Sequence, residues 1–350
     1  MTSLRTSHAS AVASAVTAQG VQRTALAPVS NVSFKKVAAE ILWHSSRRSR
    51  AARRALKPYG MRIQHEWLGS RTGSVHLANG RTAKLSSVGQ SFLAFELHWK
   101  GWQYFSPFSI LTMQALLRDA DAFFDLGANI GYYSLFAASE RPDIAVTAFE
   151  PSPKNFALLS ANAALNGSRI TCENAAVSDA TGTHVFHLPH SPMSGSLEAA
   201  FNPSVERTET VKTYRLDDYV AEHPIRGRPL LKVIIEGHEP QFIRGAAKLL
   251  DEHRPDMIMA VSKPWDDETL ALLHGRGYSF HQITDQGLVR EERLTPCKRE
   301  RWFFLEHLVT TRSERDVRAL SASLAERFGS IVLAETNTNR PDLLGHDAVW

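Results

Sequence analysis

The chain has 350 residues, 43% hydrophobic and 22% charged, with two cysteines and a formal net charge of +4. That composition excludes a wholly disordered chain, a collagen-like chain and a disulfide-stapled or four-cysteine zinc scaffold. No run approaches the roughly 20 apolar residues of a membrane span, and scarce cysteine fits a reducing, cytoplasmic setting.

The charge is uneven. Residues 1–57 hold ten Lys/Arg and a single acid, Glu40, leaving 30 basic and 35 acidic side chains for the rest. The body therefore has no basic excess that would call for nucleic acid. Residues 1–33, rich in Ala, Ser, Thr and Val, read as disordered. Gln19, Gln22 and Arg23 interrupt any secretory apolar core, while the Arg- and Ser-rich start also resembles an organelle transit peptide. Residues 34–56 predict a basic helix with Val37, Ile41 and Leu42 on one side. It reads either as a solvated lead-in or as a weak contact with an anionic membrane or protein partner.

Residues 58–109 predict a β-rich lobe. In "SVHLANGRTAKL", Asn79-Gly80 separates two alternating runs, a hairpin signal. The following "SFLAFELHWKGWQYFSPF" is dense in aromatics and reads as this lobe's own core, or as an aromatic wall for a substrate. From 110 to 310 the pattern alternates. "ILTMQALLRDA" is a helix, "AFFDLG" a buried strand, "GYYSLFAAS" a helix and "IAVTAFE" a strand. "SPKNFALLSANAALNG" is a helix capped by Ser152, with Pro153 in its first turn and Gly167 at its end. "RITCENAAVS" and "GTHVFHL" read as strands, and "PLLKVIIEG" as a strand in the middle of a parallel sheet. "EPQFIRGAAKLLDEH", "PDMIMAVS" and "DDETLALLHGRG" continue as helix, strand and helix, before late strands "YSFHQIT" and "RWFFLEH". Repeated strand–helix units imply an α/β fold with a doubly wound, mainly parallel sheet and a late antiparallel strand. Residues 311–350 hold a final amphipathic helix, over 312–328, and a tail.

The sharpest chemistry lies in "FFDLGANIGYYS". A strand ends at Asp125, and Gly127 and Gly131 form a tight turn before a helix. Glycine lets backbone approach a ligand closely and tolerates positive φ. Nineteen residues beyond Gly131 a second strand ends in Glu150, placed to accept hydrogen bonds from ribose hydroxyls. The G-x-x-x-G spacing is not the G-x-G-x-x-G of a dinucleotide site, which leaves an NAD-dependent oxidoreductase as a minor alternative. A methionine moiety carries an ammonium that wants an acid, and Asp125 supplies one. The pattern favours S-adenosylmethionine.

The stretches "FFDLGANIGYYSLFAA", "AFEPSPKNFALLSANAALN", "AAVSDATG", "YRLDDYV", "KVIIEGHEPQFIRGA" and "RPDMIM" resemble the FkbM family of S-adenosylmethionine-dependent methyltransferases, in the family's order. The resemblance implies a class I methyltransferase (Rossmann-like) fold. It places Asp125, Gly127, Asn129 and Gly131 around the methionine end of the cofactor, Glu150 at the ribose, and Asn174 and Ala175 beside the adenine. It also implies O-methylation of a hydroxylated acceptor, a sugar or other secondary metabolite.

Two positions depart from that pattern. Ile234 stands where the family's K-I-D-V-E-G-x-E has its aspartate, and Ala260 where a glutamate ends the next strand. Isoleucine can neither accept a proton nor hold a metal, so no metal is expected, and either the base is Glu236, His238 or Glu239 or the enzyme relies on holding its partners in line. The alternative is a catalytically impaired scaffold that binds the cofactor. His184, His187 and His190 recur every third residue but alternate faces on a strand, so they read as surface histidines. Asp217 and Asp218 read as a helix start, and "SPMSGSL" as a loop that either lines the acceptor pocket or is solvated.

Overall fold

The computed structural model describes residues 69–86, 88–189, 195–198, 205–261, 267–294 and 306–336, with isolated positions between 41 and 59. The readings of residues 1–33, of His190, of most of "SPMSGSL", of the start of "RWFFLEH" and of the tail beyond 336 lie outside the described residues. Within the basic segment, Ile41, Leu42 and Trp43 are helical. Trp43 is fully buried, its ring 4.3 Å from that of His98, so this helix anchors to the domain.

The hairpin forms as the Asn-Gly signal predicts. Strands β1 (Gly73–His76) and β2 (Thr82–Leu85) pair antiparallel, with Gly80 at φ +82°. The rest of the β-rich lobe does not. "FLAFELHWK" is helix α1 (Phe92–Lys100), and α2 (Pro107–Leu116) follows. Ser91 caps α1 by accepting from the Ala94 N–H, and Gly101, at φ +83°, ends it. Seven consecutive residues of α1, Leu93 to Trp99, are buried. A helix wrapped in core on all sides shows no 3.6-residue stripe, and its aromatic content then imitates a strand.

The main body is one sheet of eight strands. They are β3 (Ala122–Leu126), β4 (Ala145–Phe149), β5 (Ile170–Glu173), β9 (Pro229–Val233), β10 (Asp256–Ala260), β11 (Ser279–Thr284), β12 (Gly287–Glu291) and β13 (Glu306–Thr310). Their spatial order is β12-β11-β13-β10-β9-β3-β4-β5. The five from β10 to β5 pair parallel, and the late strands pair antiparallel, three of them rather than one. Helices α3 (Tyr132–Glu140), α4 (Pro153–Leu165), α6 (Glu239–Gly245), α7 (Ala247–Glu252) and α8 (Asp267–Gly275) cross between strands. The long C-terminal helix α9 (Glu314–Thr336) seats Phe328 on Phe108 of α2, ring centroids 4.7 Å apart. No helix among the described residues is long and apolar enough to cross a membrane.

"RITCENAAVS" breaks at Asn174. β5 stays in the main sheet, while β6 (Ala175–Val177) starts a second one with β7 (Gly182–Pro189) and β8 (Val205–Tyr214), in the order β6-β8-β7. β8 was not foreseen: only its last few residues are buried, so it lacks an apolar pattern. Helix α5 (Leu216–Glu222) follows, and Asp217, in its first turn, accepts from the N–H groups of Lys248 and Leu249.

Strand alternation sorts the core into two layers. Phe123, Leu230, Ile258 and Leu308 face one cluster, together with Tyr132 and Tyr133 of α3. Phe124, Leu231, Met257 and Val309 face the other. The chain winds outward from β3 to β5 on one side and from β9 to β10 on the other. The sheet thus reverses between β3 and β9, where doubly wound folds bind ligands at the carboxyl ends of their strands.

Candidate functional site

Both strands at the reversal send their next residues into one cleft. After β3 the chain turns through Gly127 (φ +76°), Asn129 (φ +52°) and Gly131 (φ +83°). The N–H groups of Gly127 and Ala128 both donate to the Phe149 carbonyl of β4. A Cβ on Gly127 would lie 2.0 Å from the Ile234 carbonyl oxygen, and one on Gly131 would lie 2.5 Å from Leu159. These glycines are needed first by the chain's own packing, and they draw the turn against the segment after β9.

Asp125 and Lys232 are register partners on β3 and β9 and face the α3 side. Asp125 is fully buried; it accepts from the Ser134 N–H (3.0 Å) and hydroxyl (2.6 Å), and its other oxygen is 3.2 Å from Lys232 Nζ. Lys232 Nζ also donates to the Gly127 carbonyl at 2.8 Å and lies 5.1 Å from the Tyr133 ring centroid. The acid expected to meet an ammonium is thus engaged by the chain itself, and Lys232 ties β9 to the glycine turn.

Glu150 directly follows β4, with its side chain buried. Its two oxygens accept from the N–H groups of Asn129 (2.8 Å) and Ser152 (2.9 Å). Burial raises its carboxyl to about 7, against the pull of those N–H donors and of Lys232. Asn174 donates its amide to the carbonyls of Glu150 and Pro151, and Ala175 beside it is buried. Glu150, Asn129 and Asn174 therefore share one rim at the ends of β3, β4 and β5.

The opposite rim follows β9. Glu236 stands at φ +53°, a left-handed conformation unusual without glycine, and Gly237 follows at φ +93°. Ser196 donates to the Glu236 carbonyl at 2.7 Å, and the Gly237 N–H donates to Glu239 at 3.0 Å. Burial pushes the Glu236 carboxyl up to about 8; the nearby Glu239 adds to the shift and Lys232 opposes it. Glu239 is fully buried as the first residue of α6. His238 is buried between Glu198, 2.8 Å from Nδ1, and Ser178, 2.9 Å from Nε2. Burial lowers its pKa against the opposing pull of Glu198, which leaves a neutral ring with a single proton. The Glu198 carboxylate accepts from Nδ1–H, and Nε2 meets the Ser178 hydroxyl, which also donates to Asp179 at 3.2 Å.

The structure therefore brings Glu236, His238 and Glu239 together and divides their roles. His238 and Glu239 hold the loop, while among the described residues no hydrogen bond or ion pair engages the Glu236 carboxylate. Ile234 packs half-buried against the apolar cluster on the α3 side, and Ala260 is buried. Sequence reading missed Glu198, and it gave no individual role to Ser134, Ser178 or Ser196, although they lie in the quoted stretches "FFDLGANIGYYSLFAA", "AAVSDATG" and "SPMSGSL". It also passed over Glu306, whose signal was a lone acid in the apolar run "FFLEHLV". His184 stands 6.1 Å from the His238 ring, and among the described residues no group of three His, Cys, Asp or Glu is arranged to hold a metal ion.

A doubly wound α/β sheet with a glycine turn after its first central strand and an acid directly after the next defines a nucleoside-binding frame. The profile of the family described as the Methyltransferase FkbM domain matches residues 125–281. The chain is 30% identical over 239 residues to 31-O-demethyl-FK506 methyltransferase FkbM of Streptomyces tacrolimicus, covering 59% of this chain and 88% of that protein. It is 26% identical over 142 residues to hexuronic acid methyltransferase AglP of Haloferax volcanii, covering 40% of this chain and 56% of that one. A crystal structure of methyltransferase FkbM from Methylobacillus flagellatus KT aligns with 55% of this chain and 44% of its own, at 19% identity and a TM-score of 0.34. The chain belongs to the FkbM methyltransferase family.

Proposed function

We propose that the chain is an S-adenosylmethionine-dependent O-methyltransferase that acts on a hydroxyl of a sugar or other secondary metabolite. The observation that carries this reading is the charge of the cleft. Lys232 is paired with Asp125 and is the cation that acts on Glu150 and Glu236. Burial raises the Glu150 and Glu236 carboxyls, and an incoming sulfonium and ammonium would draw them back toward their charged forms, which a pyrophosphate would not; this favours S-adenosylmethionine over NAD. The residues fit the cofactor: each Glu150 oxygen accepts one backbone N–H and keeps a lone pair for a ribose hydroxyl. Family membership supports methyl transfer, and two relatives named for 31-O-demethyl-FK506 and a hexuronic acid support a small hydroxylated acceptor.

Bound S-adenosylmethionine supplies an electrophilic methyl group on a positively charged sulfur. Glu150, Asn129 and Asn174 hold the nucleoside, with Ala175 beside the base, and the Asp125–Lys232 pair keeps the turn through Gly127 and Gly131 in shape. Glu236 accepts the proton of the acceptor hydroxyl on its carboxylate, while His238 and Glu239 fix the loop that presents it. Much of the rate in such a site comes from holding the partners in line.

A second reading, a cofactor-binding scaffold without catalysis, is favoured by one observation: Ile234 lies half-buried against the apolar cluster where a proton acceptor is expected. Incubation with methyl-labelled S-adenosylmethionine and a panel of hydroxylated acceptors separates the two. Transfer by the wild type, lost in Glu236→Gln, supports the enzyme. Cofactor binding with no transfer, and activity gained in Ile234→Asp, supports the scaffold.

A further inference from the structure

One buried acid has no part in the mechanism above. Glu306 opens β13 and pairs in register with Ala260, the last residue of β10. In an antiparallel pair, opposed residues present side chains on the same face. Alternation puts that face on the side of Ile258 and Leu308, the same side as Asp125 and Lys232. Glu306 thus stands at the carboxyl ends of the central strands, where this fold takes its ligands. The acid absent at Ala260 is present one strand away.

The partners of Glu306 are unlike those of a structural acid. Tyr133 donates to it at 3.3 Å, and Ser106 and Ser109, at the start of α2, lie close enough to favour its charged form. Lys232 is the cation that acts on it, and Lys232 is already bound to Asp125 and to the glycine turn. The structural acid of the same sheet, Asp256, is by contrast clasped by Arg228 (2.6 Å) and Arg312 (2.8 Å). Ser106 sits at φ +48°, a strained conformation for a residue with a side chain, as it starts α2. Burial raises the Glu306 carboxyl above its ordinary range, so keeping it there costs stability. A carboxylate among hydroxyls is chemistry that recognises hydroxyl groups.

We infer that Glu306, with the hydroxyls of Ser106 and Tyr133, forms the acceptor-binding subsite, which takes one hydroxyl of a polyhydroxylated acceptor such as a sugar and presents its neighbour to Glu236. This rests on the methyltransferase reading above. It assigns binding to Glu306 and proton removal to Glu236, two functions that kinetics can separate.

The test compares wild type, Glu306→Gln, Glu236→Gln and the double variant Ala260→Glu/Glu306→Ala, which moves the acid across the strand pair. Each is titrated with S-adenosylhomocysteine by calorimetry. Each is then assayed with labelled cofactor on D-glucuronic acid, methyl glucoside and cyclohexanol, and its melting is followed at pH 8. The subsite predicts that Glu306→Gln raises KM for the sugars about tenfold or more, with kcat and cofactor affinity little changed. It also predicts that Glu306→Gln melts no lower than wild type at pH 8, and that the double variant regains part of the sugar affinity. Glu236→Gln should instead lose kcat. A wild-type KM in Glu306→Gln, a clear loss of its stability, or a cofactor-binding wild type that methylates neither sugar would overturn the assignment. Failure of the wild type to bind S-adenosylhomocysteine would instead sink the reading on which it rests.

Discussion

Glu236 carries its carboxylate on a backbone that L residues avoid, at φ +53°, between a serine-held carbonyl and a glycine. Strain of that kind persists only where the surroundings enforce it, here in the loop that follows β9. A base must be deprotonated to act, and Glu236 is pushed up to about 8. Turnover should therefore rise about tenfold per pH unit below that value and level off above it. In Glu236→Gln the residual rate should lose this limb; an unchanged profile would assign the base elsewhere. Lys232 gives a second prediction. Removing it leaves Asp125 buried and without its cation, so Lys232→Met should cost about 3–5 kcal/mol in denaturant unfolding. A loss under 1 kcal/mol would show that water reaches Asp125.

Short connections rather than regular elements build the site, and this decided what the sequence could reveal. The turn after β3, the acid after β4 and the loop after β9 were legible because glycine, carboxylate and order along the chain are local features. The partners that fasten them were not. Ser196 and Glu198 reach the loop from some 40 positions away, and Glu306 enters from the last strand of the sheet. Helix α1 was misread because it is buried all round, and β8 was missed because most of it is exposed. The glycines, read as room for a ligand, proved to make room for the chain itself. Gly127→Ala should accordingly abolish folding or the cleft, since its Cβ would meet the Ile234 carbonyl at 2.0 Å. Gly167→Ala, at φ +61° with open space around it, should cost only about 1–2 kcal/mol. Equal melting temperatures for the two would refute this packing argument.

Across the whole molecule, the cleft gathers acids at the reversal point of the sheet at the expense of stability. Glu150 and Glu236 have folded-state values of about 7 and about 8, above their ordinary 4.5. Stability from such groups is fully present below pH 4.5 and is lost as pH rises through 7 and 8. Glu150→Gln and Glu236→Gln should therefore gain on the wild type between pH 5 and 9, by a few kcal/mol on an order-of-magnitude scale. A sulfonium cofactor should offset the same penalty by neutralising the cleft. Calorimetric titration with S-adenosylmethionine and S-adenosylhomocysteine, on wild type, Glu150→Ala and Glu150→Gln, tests this most directly. The account predicts saturable binding by the wild type, tighter for the sulfonium as pH rises toward 8, and weakened at least about tenfold in Glu150→Ala. Absence of binding by folded wild-type protein, or binding indifferent to Glu150, would contradict it.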